Sequence, residues 1–188
     1  MSVSVDEVGR RPFHFSDDPS IDVFVPRPVR IPSVRPPGQE WLNDPLVWAV
    51  DDEHQATYLF PRDCPRILLW LTENTTEDDR LKWWGDRPCR MIAHVEWDWL
   101  ERIRTASLFR YELPPCTFEP LEGQWMWVSR DTVRPVESRL CAPLLDALAA
   151  EGVELRVMKS LVPMRDVWTT SLHASGIRLR NAKDWPRS

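Results

Sequence analysis

A histidine and a hydroxyl side chain stand two residues apart near the start of the chain, in the segment Phe13-His14-Phe15-Ser16-Asp17-Asp18-Pro19. If this segment is a strand, residues i and i+2 point to the same face, so His14 and Ser16 share a face. A polar pair at the end of a strand can hold a small polar ligand, and the pattern predicts a site without identifying a reaction. In the alternative interpretation, His14 is a core histidine that is hydrogen-bonded to the backbone.

A second group of candidate residues lies on a proline-stiffened turn, Phe60-Pro61-Arg62-Asp63-Cys64-Pro65-Arg66. Arginine makes bidentate contacts to phosphate and carboxylate groups. Arg62 and Arg66 are therefore candidates to bind an anionic ligand. In the simpler alternative, an internal pair between an arginine and Asp63 fixes the turn.

The sequence contains none of the common catalytic or nucleotide-binding motifs. It has no GxGxxG or Walker loop, no GxSxG and no HExxH. Its four cysteines include no CxxC pair, and its four histidines stand far apart in the chain. We therefore expect no metal site.

Length and charge limit the class of protein. A chain of 188 residues fits one domain, and the net charge of −5 argues against extensive nucleic-acid binding, which favours a basic surface. The N-terminal residues lack the apolar core of a signal peptide, and no run approaches 18 apolar residues. We expect a cytoplasmic protein without membrane contact and with reduced thiols, and its oligomeric state stays open.

The elements that position these candidates follow from apolar runs and chain breakers. We predict that residues 1–11 form a flexible N-terminal tail and that residues 12–188 form a single domain. Within this domain we predict a long loop over residues 72–90. The predicted strands cover residues 13–16, 45–50, 67–71, 91–95, 107–113, 125–129 and 153–157. The predicted helices run from a cap at Asp51 or Asp52 to about Phe60, from Trp97 to Ala106, from Pro143 to Glu151, and over residues 166–175.

The irregular order of these strands and helices predicts an α+β fold, a single domain with a mixed, mainly antiparallel sheet flanked by short helices. It does not predict a regular alternation of strands and helices.

The histidine and hydroxyl at the end of the first strand resemble the opening of ADP-ribosyltransferase-like domains. The resemblance implies that His14 binds a ribose hydroxyl of NAD with Ser16 beside it. It also implies that an aromatic residue stacks on the nicotinamide ring, and Trp48 and Tyr58 are the candidates. Arg62 and Arg66 would then meet the phosphates.

That resemblance also implies a catalytic glutamate late in the sheet, which stabilises the oxocarbenium-like charge as nicotinamide leaves. Glu122, just before the strand at Trp125, and Glu154, in a later strand, are the candidates. The order Glu-Gly-Gln at residues 122–124 departs from the family's pattern, in which the glutamate comes second. For either glutamate, the alternative is a solvated surface carboxylate.

Four strings spread over the chain resemble an uncharacterised bacterial family of unknown function: FHFSDDPSIDVFVPRP, PLVWAVDDEH, YLFPRDCPRILLW and IRLRNA. This resemblance implies no activity, so three hypotheses stay open. The first is a protein that binds a nucleotide-like ligand, with NAD as a candidate substrate and glycosyl or ADP-ribosyl transfer as the reaction. The second is a non-enzymatic ligand- or protein-binding module. The third is a hydrolase or nuclease that uses His14.

Overall fold

The strands and helices alternate irregularly along the chain. The computed structural model describes residues 11–29, 32, 34–121 and 125–186. In this part of the chain the strands are β1 (Phe13–Ser16), β2 (Val47–Val50), β3 (Arg66–Trp70), β4 (Met91–Glu96), β5 (Leu108–Glu112), β6 (Glu119–Pro120), β7 (Met126–Ser129), β8 (Glu137–Cys141), β9 (Val153–Met158) and β10 (His173–Ile177). The α-helices are α1 (Glu77–Asp79), α2 (Trp97–Thr105) and α3 (Leu144–Ala150).

The chain forms two compact units, and each is discontinuous in sequence. Unit 1 contains the described residues up to 58 together with residues 108–140, and unit 2 contains residues 59–107 and the described residues from 141 onward. The α+β class with mainly antiparallel strands is confirmed, and the strands form two sheets. Among the described residues, no helix is long and apolar enough to cross a membrane.

Unit 1 is built on a sheet of six strands within the described residues, in the order β6-β7-β2-β1-β5-β8. The strand β1 begins after Pro12, whose carbonyl accepts a hydrogen bond from the Leu113 N–H at 2.9 Å. Aromatic and branched side chains from β2, β5 and β7 pack on one face of this sheet, and the buried side chains of Phe13 and Val50 point to the other face. The cluster on the first of these faces, here called the aromatic core, contains Phe24, Val47, Ala49, Tyr111, Leu113, Phe118, Trp127 and Val133.

Unit 2 is built on a sheet with the order β10-β3-β4-β9 in the described part of the chain. The pairs of β10 with β3 and of β3 with β4 are antiparallel, whereas β4 and β9 are parallel. All residues of β3 and β4 are buried. This explains why both strands appear in the sequence as nearly continuous apolar runs.

The buried carboxylate of Glu96, at the end of β4, anchors the C-terminal part of unit 2. Its Oε1 accepts hydrogen bonds from the backbone N–H groups of Leu161 at 3.2 Å and Lys183 at 3.1 Å, and its Oε2 accepts from Lys183 at 3.1 Å. These bonds offset the free-energy cost of burying the Glu96 carboxylate, since this residue is only 4% exposed. Glu96 therefore has a structural role in joining three segments.

Two predicted helices are wrong. The segment after Asp51 forms a short 3₁₀ turn, Gln55–Tyr58. Asp51 does act as a cap, because its Oδ1 accepts from the His54 N–H at 2.7 Å, but the turn does not continue as an α-helix. The region predicted as a helix over residues 166–175 contains the end of a 3₁₀ helix, Val162–Thr169, followed by the strand β10.

Candidate functional site

His14 lies on the face of the unit 1 sheet that the aromatic core covers. It stands opposite Tyr111 in the register of β1 and β5, and its ring centroid is 4.8 Å from that of Phe24. Its Nδ1 lies 2.9 Å from the carbonyl oxygen of Trp48. His14 is thus half-buried and contacts the backbone, and its role in ligand binding stays a prediction.

Ser16 shares the face of His14, as predicted, since it stands opposite Phe109, which packs against the same core. The Ser16 side chain is buried, and its Oγ accepts from the Asp18 N–H at 3.1 Å. Asp18 in turn accepts from the Ser20 N–H at 2.9 Å and the Ser20 hydroxyl at 2.7 Å. The Ser20 hydrogen bonds hold the pKa of Asp18 below its ordinary value. The polar groups after β1 therefore stabilise a turn.

Trp48 points to the face of the sheet opposite to His14. Val47 and Ala49, its neighbours in β2, belong to the aromatic core, and side chains alternate along a strand. Trp48 instead packs against a second cluster formed by Leu42, Leu46, Leu121 and Val128. The structure therefore does not bring the side chains of His14 and Trp48 to one cleft wall.

Tyr58 lies beside this second cluster. Its hydroxyl donates to Met126 Sδ at 3.6 Å, and Met126 packs against the same cluster as Trp48. The two candidates for ring stacking therefore lie near one another. The guanidinium carbon of Arg35 lies 5.8 Å from the centroid of the Trp48 ring.

Arg66 is buried in unit 2, where its side chain is 2% exposed. Its Nη1 donates to the Cys64 carbonyl at 2.9 Å, and its guanidinium carbon lies 5.0 Å from the centroid of Phe60. Burial raises the pKa of the neighbouring Cys64 thiol to about 12. Arg66 therefore stabilises the interior of the turn.

Arg62 is exposed, and the C-terminal string IRLRNA fixes the turn on which it lies. Arg178 Nε donates to the Arg62 carbonyl at 3.2 Å, and Asn181 Nδ2 donates to the Asp63 carbonyl at 2.8 Å. The Asp63 carboxylate lies 4.0 Å from Arg178 Nε. Two of the strings that the sequence singles out are thus in contact.

Of the two glutamate candidates, Glu122 lies outside the described residues. Glu154 lies in β9, and its Oε1 accepts from Arg156 Nε at 2.8 Å. Its Oε2 lies 3.8 Å from Arg87 Nε. Glu154 is half-buried between two arginines and is more constrained than a solvated surface carboxylate.

The two arginines beside Glu154 line an open groove of about 360 Å³ that belongs entirely to unit 2. Three of its lining residues are cationic, one is acidic and two are tryptophans. We call it the tryptophan–arginine groove. Its lining residues are Leu81, Lys82, Trp83, Trp84, Gly85, Asp86, Arg87 and Arg156.

One wall of the groove is a π-helical turn, Arg80–Trp84, a conformation that occurs frequently at functional sites. The Thr76 side chain caps the preceding helix α1. Gly85 ends the turn with φ of +71°, a conformation that favours glycine. Arg80 fixes this end by donating to the Gly85 carbonyl at 3.3 Å and to Glu77 at 2.7 Å.

Trp83 and Arg156 connect this turn to the edge strand β9. Arg156 Nη1 donates to the Trp83 carbonyl at 3.3 Å, and Lys82 Nζ lies 5.2 Å from the centroid of the Trp83 ring. The indole Nε1 of Trp83 is buried without a hydrogen-bond partner among the described residues. The indole N–H is a donor that normally finds an acceptor when it is buried.

Two titratable groups near this groove have shifted pKa values. Burial, followed by the charge of Arg156, lowers the pKa of His94 to about 4. His94 stands beside Arg156 in the register of β4 and β9. Burial and the charge of Glu154 raise the pKa of Cys89. At neutral pH both groups are therefore uncharged, and the arginines dominate the local charge.

The sequence does not predict this groove, because residues 72–90 are predicted to form a loop. The signal was present in Trp83-Trp84-Gly85-Asp86, where two aromatic residues precede a glycine, but the contribution of Arg156 comes from a strand about 70 residues away. Within the described part of the chain, no three His, Cys, Asp or Glu side chains converge as metal ligands would.

Comparison with known proteins identifies the family and leaves the activity open. Neither the curated proteins nor the solved structures give a match to this chain. A family model matches residues 13–182, which include all four strings that predict an uncharacterised family. The chain therefore belongs to the family of unknown function DUF6886.

Proposed function

We propose that the protein binds a nucleotide-like ligand, an anion with a planar ring, in the tryptophan–arginine groove. The observation that carries this proposal is the placement of Lys82, Arg87 and Arg156 beside the half-buried Trp83 in one groove. Trp84 also lines this groove but is only 4% exposed. Guanidinium groups bind phosphate by charge-assisted hydrogen bonds. Stacking of a base on an aromatic side chain contributes about 1–3 kcal/mol.

The groove is partly organised before any ligand binds. Arg156 is fixed by Glu154 and by the Trp83 carbonyl, so fewer rotamers are lost on binding. Arg87, which is 58% exposed, is the more adjustable cation. We therefore expect Arg156 to orient the anion and Arg87 to close on it.

NAD is a candidate member of this ligand class, because it combines a diphosphate with two planar rings. In a transfer reaction the bond between nicotinamide and ribose breaks, and nicotinamide keeps the bonding electron pair. The lone pair of an acceptor forms the new bond to the ribose carbon, and the acceptor's proton passes to solvent. Glu154, which contacts two arginines of the groove, is the candidate to stabilise the positive charge. The alternative is a module that binds the ligand without turnover.

Calorimetric titration with NAD, ADP-ribose, AMP and inorganic phosphate tests the proposal. We expect at least one of the nucleotides to bind, with phosphate much weaker because it cannot stack. The variant Arg87→Ala should lose at least tenfold in affinity. Arg104→Ala is the matched control, since Arg104 is 61% exposed and paired with Glu101 outside the groove.

The proposal is wrong if none of the nucleotides binds, or if Arg87→Ala and Arg104→Ala bind them equally well. Release of nicotinamide from NAD distinguishes the two versions of the function. Transfer would be supported if the wild-type protein releases nicotinamide and the Glu154→Gln variant binds NAD without releasing nicotinamide. Binding without release would support the non-enzymatic module.

A further inference from the structure

Ser171 lies in unit 2, between the 3₁₀ helix Val162–Thr169 and the strand β10, and it contacts a segment that is distant in sequence. Its hydroxyl donates to Asp79 Oδ2 at 2.6 Å, and its backbone N–H donates to the same oxygen at 2.7 Å. Both bonds hold the pKa of Asp79 below its ordinary value. The Asp79 carboxylate is therefore charged at neutral pH, and it receives two donors from one residue.

The Ser171 hydroxyl is also an acceptor. Its oxygen accepts from the Thr76 N–H at 2.8 Å and lies 3.1 Å from Thr76 Oγ1. The Ser171 carbonyl accepts from Thr75 Oγ1 at 3.4 Å. A serine hydroxyl has one donor and two acceptor positions, and here all three face the segment 75–79. We call the contacts of Ser171 with Thr75, Thr76 and Asp79 the Ser171 clamp.

The clamped segment leads directly into a wall of the tryptophan–arginine groove. Thr76 caps α1, and the Arg80 N–H donates to the Thr76 carbonyl at 2.9 Å, so α1 continues without a break into the π-helical turn Arg80–Trp84. Near the far end of this turn, Arg156 Nη1 donates to the Trp83 carbonyl. The wall is thus fixed at both ends, by the clamp at its start and by a groove residue at its end.

We propose that Ser171 is a positioning residue of the tryptophan–arginine groove, where its clamp holds the π-helical turn and the side chains of Lys82 and Trp83 in place for the ligand. Ser171 does not belong to the residues that line the groove, so it acts through Asp79 and Thr76. A wall that is fixed before binding loses less conformational freedom when the ligand binds. The effect on affinity rests on the proposed function, whereas the effect on the turn does not.

Amide hydrogen exchange of the full chain, followed by NMR, tests the clamp without any ligand. In Ser171→Ala, the amides of residues 80–85 should exchange at least tenfold faster than in wild type, because the hydroxyl bonds to Asp79 and Thr76 are lost. The amides of β3 and β4 should keep their rates, since a local loosening does not open the sheet. Ser171→Thr retains a hydroxyl and should restore the protection.

Two further variants separate the clamp from an unspecific effect. Asp79→Ala removes the same contact from the other side, so the double variant with Ser171→Ala should exchange no faster than the faster single variant. Thr169→Ala is the matched control, because the Thr169 hydroxyl donates to the Asp166 carbonyl at 2.7 Å, two residues before the clamp. This control should leave the exchange rates of residues 80–85 unchanged.

Calorimetric titration with NAD, ADP-ribose and AMP measures the effect on binding. Ser171→Ala should bind each nucleotide that the wild type binds at least fivefold more weakly, whereas Thr169→Ala should bind as the wild type does. Unchanged exchange of residues 80–85 in Ser171→Ala would overturn the proposal, and so would an equal loss of protection in β3 and β4 or an unchanged affinity. If the wild type binds none of the nucleotides, the proposed function is wrong, and the exchange rates alone decide whether the clamp holds the turn.

Discussion

Protonation of His94 should control the acid stability of unit 2. The side chain is 3% exposed, and burial together with Arg156 lowers its pKa to about 4, compared with an ordinary value of 6.5. Between these two pH values the unfolded chain binds a proton that the native protein does not. The free energy of unfolding therefore falls as the pH is lowered from 6.5 to 4, and this loss is complete below pH 4.

The expected size of this effect follows from the difference between the two pKa values. A shift from 6.5 to about 4 corresponds to a loss of about 1.4 kcal/mol at pH 5.5 and about 3 kcal/mol at pH 4, relative to pH 7.5. This is a large fraction of the stability of a typical domain, which is roughly 5–15 kcal/mol.

Urea unfolding of wild-type protein and of His94→Leu, measured between pH 7.5 and pH 4, isolates the contribution of this side chain. Carboxylates titrate in both proteins, so the difference between the two unfolding free energies should change by the amounts given above. In Arg156→Met the pKa of His94 should rise towards 6.5, because a repelling charge is removed. Parallel stability curves for wild type and His94→Leu would refute the reasoning, and so would a His94 pKa near 6.5 in an NMR titration of the wild-type protein.

Two other buried groups give predictions of their own. Glu96→Ala should lower the free energy of unfolding by about 3 kcal/mol, because the backbone N–H groups of Leu161 and Lys183 lose their acceptor. Glu101→Ala, at an exposed position of α2, should change it by less than about 0.5 kcal/mol. Equal urea midpoints for the two variants would contradict this prediction. Burial raises the pKa of the Cys64 thiol to about 12, so Cys64 should resist a thiol reagent at pH 8 while the exposed Cys116 reacts. Mass spectrometry of the labelled peptides should show labelling at Cys116 first.

Local patterns predict most of the strands within one or two residues. The strand β1, for example, covers the predicted residues, and β4 and β9 are each one residue longer than predicted. These strands are short apolar or alternating runs between breakers, so their own sequences define them. The strand β10 was missed because its residues, His-Ala-Ser-Gly-Ile, have little strand signal and depend on pairing with β3, about 100 residues earlier.

The candidate site shows a different limit. Alternation correctly predicts that His14 and Ser16 share a face, but it does not predict what packs against that face. The side chains that pack there, Phe24 and Tyr111, come from other segments. Glu154 is a candidate from the sequence because it is a glutamate in a late strand. Its arginine partner Arg87 is not predicted, because the π-helical turn that precedes Arg87 has no simple sequence signature.

The interrupted layout of the two units sets an order for folding during synthesis. Every strand of the unit 1 sheet has been made once the ribosome has passed Cys141. The unit 2 sheet still lacks β9, which pairs in parallel with β4, and β10, which pairs with β3. Its first half, with the apolar strands β3 and β4, must therefore wait while unit 1 is completed. Such long-range pairing slows folding, so the antiparallel pair of β3 and β4 has both of its outer edges open until β9 and β10 are made.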